Sequence, residues 1–215
     1  MRDKIVDYIE NLEEQTHALQ NLRQRIVTSL ETDIEIGSCI YAVKSRVKSF
    51  SHLQEKVKRK RRQGKKITRA NVWEKITDLV GVRVLLLYPQ YFENIHKFIL
   101  SQVKKKEWVF VEPPKAYTWD EDMKTFFSKK LKVMTESKES LYTSVHYVIR
   151  FPDSRIACEI QVRTLLEEVF GEIDHHINYP KKTKDLVVAS LLKSMAKLVA
   201  AGSKLAETIG RQTMI

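Results

Sequence analysis

Residues 76–88 read ITDLVGVRVLLLY. From Val80 to Leu87 the run is apolar except for Gly81 and Arg83, is rich in branched side chains, and is closed by Pro89. It reads as a strand buried on both faces. Working outward, NVWEKITDLV (71–80) predicts a short helix capped by Asn71, and YFENIHKFILSQVKK (91–105) has helical spacing. WVFVE (108–112), LYTSVHYVIRF (141–151) and RIACEIQVRT (155–164) supply three further strands, the last two joined as a hairpin by FPDSR (151–155). Apolar and polar residues partly alternate in that hairpin, which suits strands with one working face.

Helices flank this centre. Ile5, Ile9, Leu12, Leu19, Leu22, Ile26 and Leu30 recur at helical spacing and predict an amphipathic helix over 3–30. Gly37 and Ser38 break it, and a second helix is expected from about Cys39 to Arg62, ending near Gly64. After Thr164 the period is helical through Ile177 and stops at Pro180. A last helix is expected over 184–208, with Leu186, Leu191, Met195, Leu198, Leu205 and Ile209 on one side. Residues 113–140 show no period and read as a loop with a strand at LKVM (131–134). The fold class is α+β: a mixed sheet flanked by helices over 38–180, with helical extensions at 1–37 and 181–215.

The 215 residues include 43% hydrophobic and 30% charged, with 6 Gly and 5 Pro, which excludes collagen-like, low-complexity and wholly disordered chains. Cys39 and Cys158 stand apart without CxxC spacing, against a disulfide framework or a zinc ribbon. No run approaches about 18 uncharged apolar residues, and MRDKIVDYIE has no apolar signal core, so a cytoplasmic protein without a membrane partner is expected. The net charge is +11, and the segment 44–69 alone, with twelve basic residues against Glu55, carries that excess. A localised positive field is a footprint for phosphate, as nucleotide, nucleic acid or anionic lipid.

Two carboxylates fall where carboxylates are costly. Asp78 precedes the buried strand, and Glu159 lies inside ACEIQVRT. Close to a basic run they suit a Mg²⁺ site for phosphoryl transfer. Equally, Glu159 could pair with Arg83 or Arg163 as a structural ion pair, and Asp78 could be a helix-end polar residue. His175 and His176 are adjacent on a helix and point apart, so zinc is not expected. His146 suits a satisfied interior histidine, Tyr142 a base platform or a half-buried strand residue. No GxxxxGK[ST] or GxGxxG phosphate loop occurs.

Four blocks, in order, resemble the alarmone synthetase domain of the RelA/SpoT family, over about residues 38 to 180. RVKSFSHLQEKVKRK (46–60) resembles its basic ATP-binding segment, and DLVGVRV (78–84) its metal-binding Asp followed by Gly and Arg83. KESLYTSVHYVI (138–149) resembles its acceptor loop. EIQVRT with VFGEIDHHINYP (159–180) resembles its Glu-x-Gln-x-Arg-Thr block and the helix after it.

The resemblance implies a nucleotidyltransferase-like fold and transfer of the β,γ-pyrophosphate of ATP to the ribose 3′-hydroxyl of GDP or GTP, releasing AMP. It implies that Arg46, Lys48 and Lys56 hold the ATP phosphates, beside the Ser49 turn, with Arg59 near the adenine. Asp78 and Glu159 would bind Mg²⁺, with Glu159 also near the attacking hydroxyl. Tyr142 would stack on the acceptor base, Lys138 and His146 would meet acceptor phosphates, and Gln161, Arg163, His175 and Asn178 would complete the pocket. The family's usual Gly before the tyrosine is here Leu141, its following Arg is Thr143, its Trp-Ala is Phe170-Gly171, and Pro180 stands where Lys is common. Two other readings remain: a relative that pyrophosphorylates the tRNA 3′ end through the 44–69 segment, and an inactive RNA-binding module. The terminal helices suit either capping of the domain or a homo-oligomer.

Overall fold

The computed structural model describes residues 13–68, 70–137, 141–179 and 181–213. Its centre is a six-stranded mixed sheet. In chain order the strands are β1 (Ala42–Val47), β2 (Val80–Leu86), β3 (Val109–Tyr117), β4 (Met134–Glu136), β5 (Ser144–Arg150) and β6 (Cys158–Thr164). Their spatial order is β1-β2-β6-β5-β3-β4, with β2/β6 and β3/β4 parallel and the other pairs antiparallel. The helices are α1 (Glu13–Glu31), the single turn α2 (Ile34–Gly37), α3 (Phe50–Arg62), α4 (Val72–Lys75), α5 (Phe92–Lys104), α6 (Glu121–Thr125), α7 (Leu165–Asn178) and α8 (Leu186–Thr213).

Strand alternation divides the sheet into two faces. Val80, Val82 and Val84 of β2, Cys158, Ile160 and Val162 of β6, and Val145, Tyr147 and Ile149 of β5 are buried in the main core, with Leu19, Leu22, Ile26 and Leu30 of α1 and Ile95 and Ile99 of α5. The alternate positions form the other face, and the register aligns them in rows. Arg46 lies beside Gly81 and Gly81 beside Glu159. Lys44 lies beside Arg83, Arg83 beside Gln161, and Gln161 beside His146. The polar residues of four different segments therefore share one surface.

Three expectations are corrected. The segment 39–62 is not one helix: β1 precedes α3, and Ser49 separates them. Lys44 and Arg46 consequently project from a strand facing the cleft, and Val43 and Val47 pack against the core. The segment 113–140 contains more structure than a loop: β3 runs on to Tyr117 through Pro113 and Pro114 with two register irregularities, and α6 continues into a wider π turn over Phe126–Lys130. Pro is admitted there because the ladder is interrupted at those residues. The strand expected at 131–134 starts at its end, at Met134.

The apolar row read for the last helix lies on its outer side. Leu192, Ala196 and Gly210 are its buried residues, and Leu186, Leu191, Leu198, Leu205 and Ile209 are exposed, Leu198 at 73%. By length and composition alone α8 is long and apolar enough to cross a membrane, and 17% of its apolar window is buried. The N-terminal helix expected over 3–30 is described from Glu13 onward, and its first apolar positions lie outside the described residues.

Candidate functional site

Two adjoining cavities open over the polar face of the sheet. One, of 440 Å³, is lined by Lys44, Arg46, Asp78, Gly81, Arg83, Glu159, Gln161 and His175 among others. The other, of 650 Å³, is lined by Lys48, Ser49, His52, Lys56, Arg59 and Tyr179. Arg46 and His175 border both, so the two form one cleft with a carboxylate end and a cationic end.

Asp78 stands at the junction. Lys48 Nζ lies 2.6 Å from its Oδ2 and Lys56 Nζ 2.5 Å from its Oδ1. The turn between β1 and α3 makes this convergence possible, placing Lys48 at the end of the strand and Lys56 within the helix. Burial works against the Asp78 charge, but the two ammonium groups together outweigh it and hold the carboxyl below its ordinary range.

Glu159 has different partners. His146 Nδ1 lies 2.9 Å from its Oε1, and Gln161 Nε2 donates to its Oε2 at 2.8 Å. Burial again pushes the carboxyl up, His146 and Gln161 push it down further, and it stays ionised below the ordinary range. Tyr142 Oη bonds the other nitrogen of His146. Burial raises the Tyr142 phenol, which keeps its proton, and the His146 ring links that phenol to Glu159. Arg163 closes the chain: its Nη2 donates to Gln161 Oε1 at 2.5 Å, and its guanidinium lies 5.2 Å from the Tyr142 ring centroid. Tyr117 flanks the same ring, with centroids 6.1 Å apart and planes at 26°.

The structural ion pairs considered for Glu159 are made elsewhere. Arg83 and Arg163 both turn to Glu168, at 3.1 and 3.2 Å, where Lys44 Nζ joins them at 3.0 Å, and Arg83 also pairs with Glu172. Glu168 is buried, and its three cations tie β1, β2 and β6 to α7. Gly171 makes room for this arrangement, since a Cβ there would stand 2.8 Å from Arg163 Nη1. Gly81 is less demanding than its sequence position suggests: a Cβ would meet only the Arg46 side chain, at an ordinary 3.8 Å.

The cleft thus gathers Arg46, Lys48, Ser49, Lys56, Arg59, Asp78, Arg83, Glu159, Gln161 and His175, with His146, Tyr142 and Arg163 attached through hydrogen bonds. His175 stacks on Tyr179, centroids 4.6 Å apart. Asn178 is placed apart from the cleft. It bonds Asp174 Oδ1 and Thr183 N–H, and lines a different cavity of 250 Å³ with Leu141 and Phe170. Lys138 and Pro180 lie outside the described residues. Leu141 adopts φ 54°, a conformation glycine takes freely and a leucine takes at a conformational cost. Sequence reasoning missed Glu168 and Tyr117. A glutamate on a helix announces its burial only once the cations of three strands are seen to converge on it.

Among the described residues no three His, Cys, Asp or Glu side chains converge as a metal cage. The fitting donor pair is Asp78 and Glu159, hard oxygen ligands held ionised on one cavity wall.

The chain is similar to known proteins in sequence and in fold. The sequence profile described as "Region found in RelA / SpoT proteins" matches residues 45–184. The chain is 28% identical over 141 residues to the GTP pyrophosphokinase YwaC of Bacillus subtilis (strain 168), a match covering 63% of this chain and 57% of that protein. Among solved structures, small alarmone synthetase 1 from Bacillus subtilis bound to its product pppGpp superposes with a TM-score of 0.68 at 20% identity, covering 96% of this chain and 97% of that one. The same synthetase bound to AMPCPP gives 0.66 at 19%, covering 99% of each chain. A GTP pyrophosphokinase family protein from Streptococcus pneumoniae gives 0.64 at 21%, covering 95% and 92%. These likenesses establish the mixed sheet flanked by helices as a shared fold.

Proposed function

The chain belongs to the RelA/SpoT family, and from that premise we propose that it is a pyrophosphokinase, moving the β,γ-pyrophosphate of ATP to the ribose 3′-hydroxyl of GDP or GTP and releasing AMP. The observation that carries this reading is one cleft that holds two ionised carboxylates, Asp78 and Glu159, against a wall of Arg46, Lys48, Lys56 and Arg59. The names of the relatives, which handle GTP, pppGpp and AMPCPP, support the same substrates.

The chemistry follows from the residues. Among the described residues no carboxylate pairs with Arg46 or Arg59, so both are available to phosphate oxygens, while Lys48 and Lys56 are held on Asp78 until a more negative partner arrives. Asp78 and Glu159 would hold Mg²⁺, which when bound neutralises phosphate charge and orients the reacting oxygens. The acceptor O3′ attacks the β-phosphorus as the bond from that phosphorus to the α-phosphate oxygen breaks, and AMP leaves with the electron pair. The hydroxyl proton passes to the ionised Glu159 carboxylate. His146 and Gln161 fix the orientation of that carboxylate, and Tyr142 offers its ring to the acceptor base. Nucleotide substrates imply a cytoplasmic site, and the exposed Leu191, Leu198 and Leu205 row of α8 suits self-association into a homo-oligomer.

A second reading has its own support. Lys58, Arg62, Lys65 and Lys66 are exposed and line neither cavity of the cleft, which suits an RNA acceptor such as the tRNA 3′ end. AMP release from ATP and Mg²⁺ with GDP, GTP or deacylated tRNA offered singly separates the readings. Stimulation by GDP or GTP is expected. Stimulation by tRNA alone would move the acceptor to RNA, and silence with all three would leave an inactive binding module.

A further inference from the structure

Glu167 is the third residue of α7, and Thr164, which caps that helix, stands three residues before it. In this Thr-x-x-Glu arrangement each side chain commonly bonds the other's backbone N–H. Only one half forms here: Thr164 Oγ1 accepts from Glu167 N–H at 3.2 Å. Glu167 Oε2 turns instead to Thr143 N–H, also at 3.2 Å, on the segment entering β5. From the other side, Thr143 Oγ1 shares a hydrogen bond with Thr118 Oγ1 at 3.0 Å. Thr118, Thr143 and Glu167 are all buried, at 0%, 4% and 5% exposure. The residues just before this clamp are Leu141, whose φ of 54° is costly for a branched side chain, and Tyr142.

We infer that Glu167 is a positioning residue for the acceptor: its carboxylate holds the backbone at Thr143 and thereby fixes Leu141 in its conformation and aims the ring of Tyr142. The inference rests on Tyr142 as the platform for the acceptor base. It adds a pH dependence, because an ionised carboxylate accepts a backbone hydrogen bond more strongly than a neutral acid. Burial pushes Glu167 up to about 7, against the Thr143 bonds and Arg163, and Asp120 pushes the same way as burial. Lys204 and Glu207 of α8 line, with Glu167, Asp120 and Thr143, a small cavity between these elements. The hold therefore tightens as pH rises through neutrality.

The test combines kinetics with hydrogen exchange on the full chain. With ATP and Mg²⁺, the acceptor KM for GTP should fall several-fold between pH 6 and pH 8 in the wild-type protein. In Glu167→Gln, which keeps the shape and removes the charge, it should stay at the high value across that range, with the ATP KM unchanged throughout. Independently of activity, the Thr143 amide should lose about tenfold protection in Glu167→Gln once intrinsic exchange is corrected. Unchanged Thr143 protection with a wild-type pH profile would overturn the inference. So would a parallel rise of both KM values, which would make Glu167 a general structural residue. A wild-type protein silent with GDP and GTP would defeat the functional reading instead, and loss of Thr143 protection in Glu167→Gln would still uphold the clamp.

Discussion

His146 Nδ1 lies 2.9 Å from Glu159 Oε1, and the other nitrogen of the same ring is bonded by Tyr142. One imidazole thus joins the carboxylate proposed to receive the acceptor proton to the ring proposed to stack on the acceptor base. Glu159→Gln should lower AMP release by at least about 100-fold with the chain still folded, as removal of a transition-state contact does. His146→Ala should affect the acceptor KM as well as kcat, because it frees Tyr142 and Glu159 together. Because Glu159 is held below its ordinary range, an acid limb of kcat/KM due to this group should fall below about pH 4.5.

Asp78 is balanced by Lys48 and Lys56 before any nucleotide enters. On the proposed reading, Asp78 would help to hold Mg²⁺ when it is bound, and Lys48 and Lys56 would then be available to phosphate oxygens. Asp78→Asn should therefore raise the Mg²⁺ concentration needed for half-maximal activity and lower kcat by at least about 100-fold. Titration of AMP release with MgCl₂ at saturating ATP reads both. The sign of the pH effect follows from the lowered carboxyl: its contribution to stability is full above its unfolded value, near 3.8, and is lost as pH falls through the still lower folded value. Asp78→Asn should accordingly destabilise the protein at pH 6 and converge with the wild type in strong acid.

Glu167 behaves in the opposite sense. Its carboxyl is raised from 4.5 to about 7, so the folded state binds that proton more tightly than the unfolded chain. The group's contribution is most favourable below about pH 4.5 and is lost as pH rises to 7, a loss on the order of 3 kcal/mol. Glu167→Gln should remove that dependence. Its Tm relative to wild type should rise between pH 5 and pH 8, even as the Thr143 clamp weakens.

How much of this was legible in sequence differs by element. The run 80–87 declared a strand by its branched apolar residues, but burial on both faces was too much to read from it: Gly81 and Arg83 face the cleft and Leu87 is exposed. Asp78 and Glu159 stood out because a carboxylate beside such a strand is costly. The β1 strand was hidden by its own charges: Lys44 and Arg46 alternate with Val43, Ser45 and Val47, a two-residue period drowned by the basic helix that follows. The α8 stripe was visible but its direction was not. Leucines at helical spacing identify a face, and only the small residues Ala196 and Gly210, packed inward, reveal which face meets the domain. Asn178 read as a pocket residue from its block; its side chain bonds Thr183 N–H and lines the cavity bordered by Leu141, apart from the main cleft.

Gly171 offers a sharp local probe. A Cβ there would come within 2.8 Å of Arg163 Nη1, a guanidinium held by Glu168 and Gln161 and nearly without exposure. Because both partners and burial restrict its retreat, Gly171→Ala should displace Arg163 and loosen its bond to Gln161. We expect an acceptor KM raised several-fold, an ATP KM close to wild type, and a stability loss of about 1 kcal/mol. Equal loss of ATP affinity in steady-state titrations would place Arg163 outside the acceptor pocket.

The outward leucines of α8 distinguish core packing from surface packing within one helix. Leu192 is 8% exposed and Leu198 73% exposed, although they lie only six residues apart. Leu192→Ala should cost about 2–3 kcal/mol in urea unfolding, the scale for deleting a buried leucine. Leu198→Lys should cost the isolated chain little, because its side chain is already in water. If a second copy covers that row, Leu198→Lys should instead lower the mass measured by light scattering and make stability independent of protein concentration. A wild-type protein of monomer mass at every concentration, unaltered by Leu198→Lys, would reject self-association through this face.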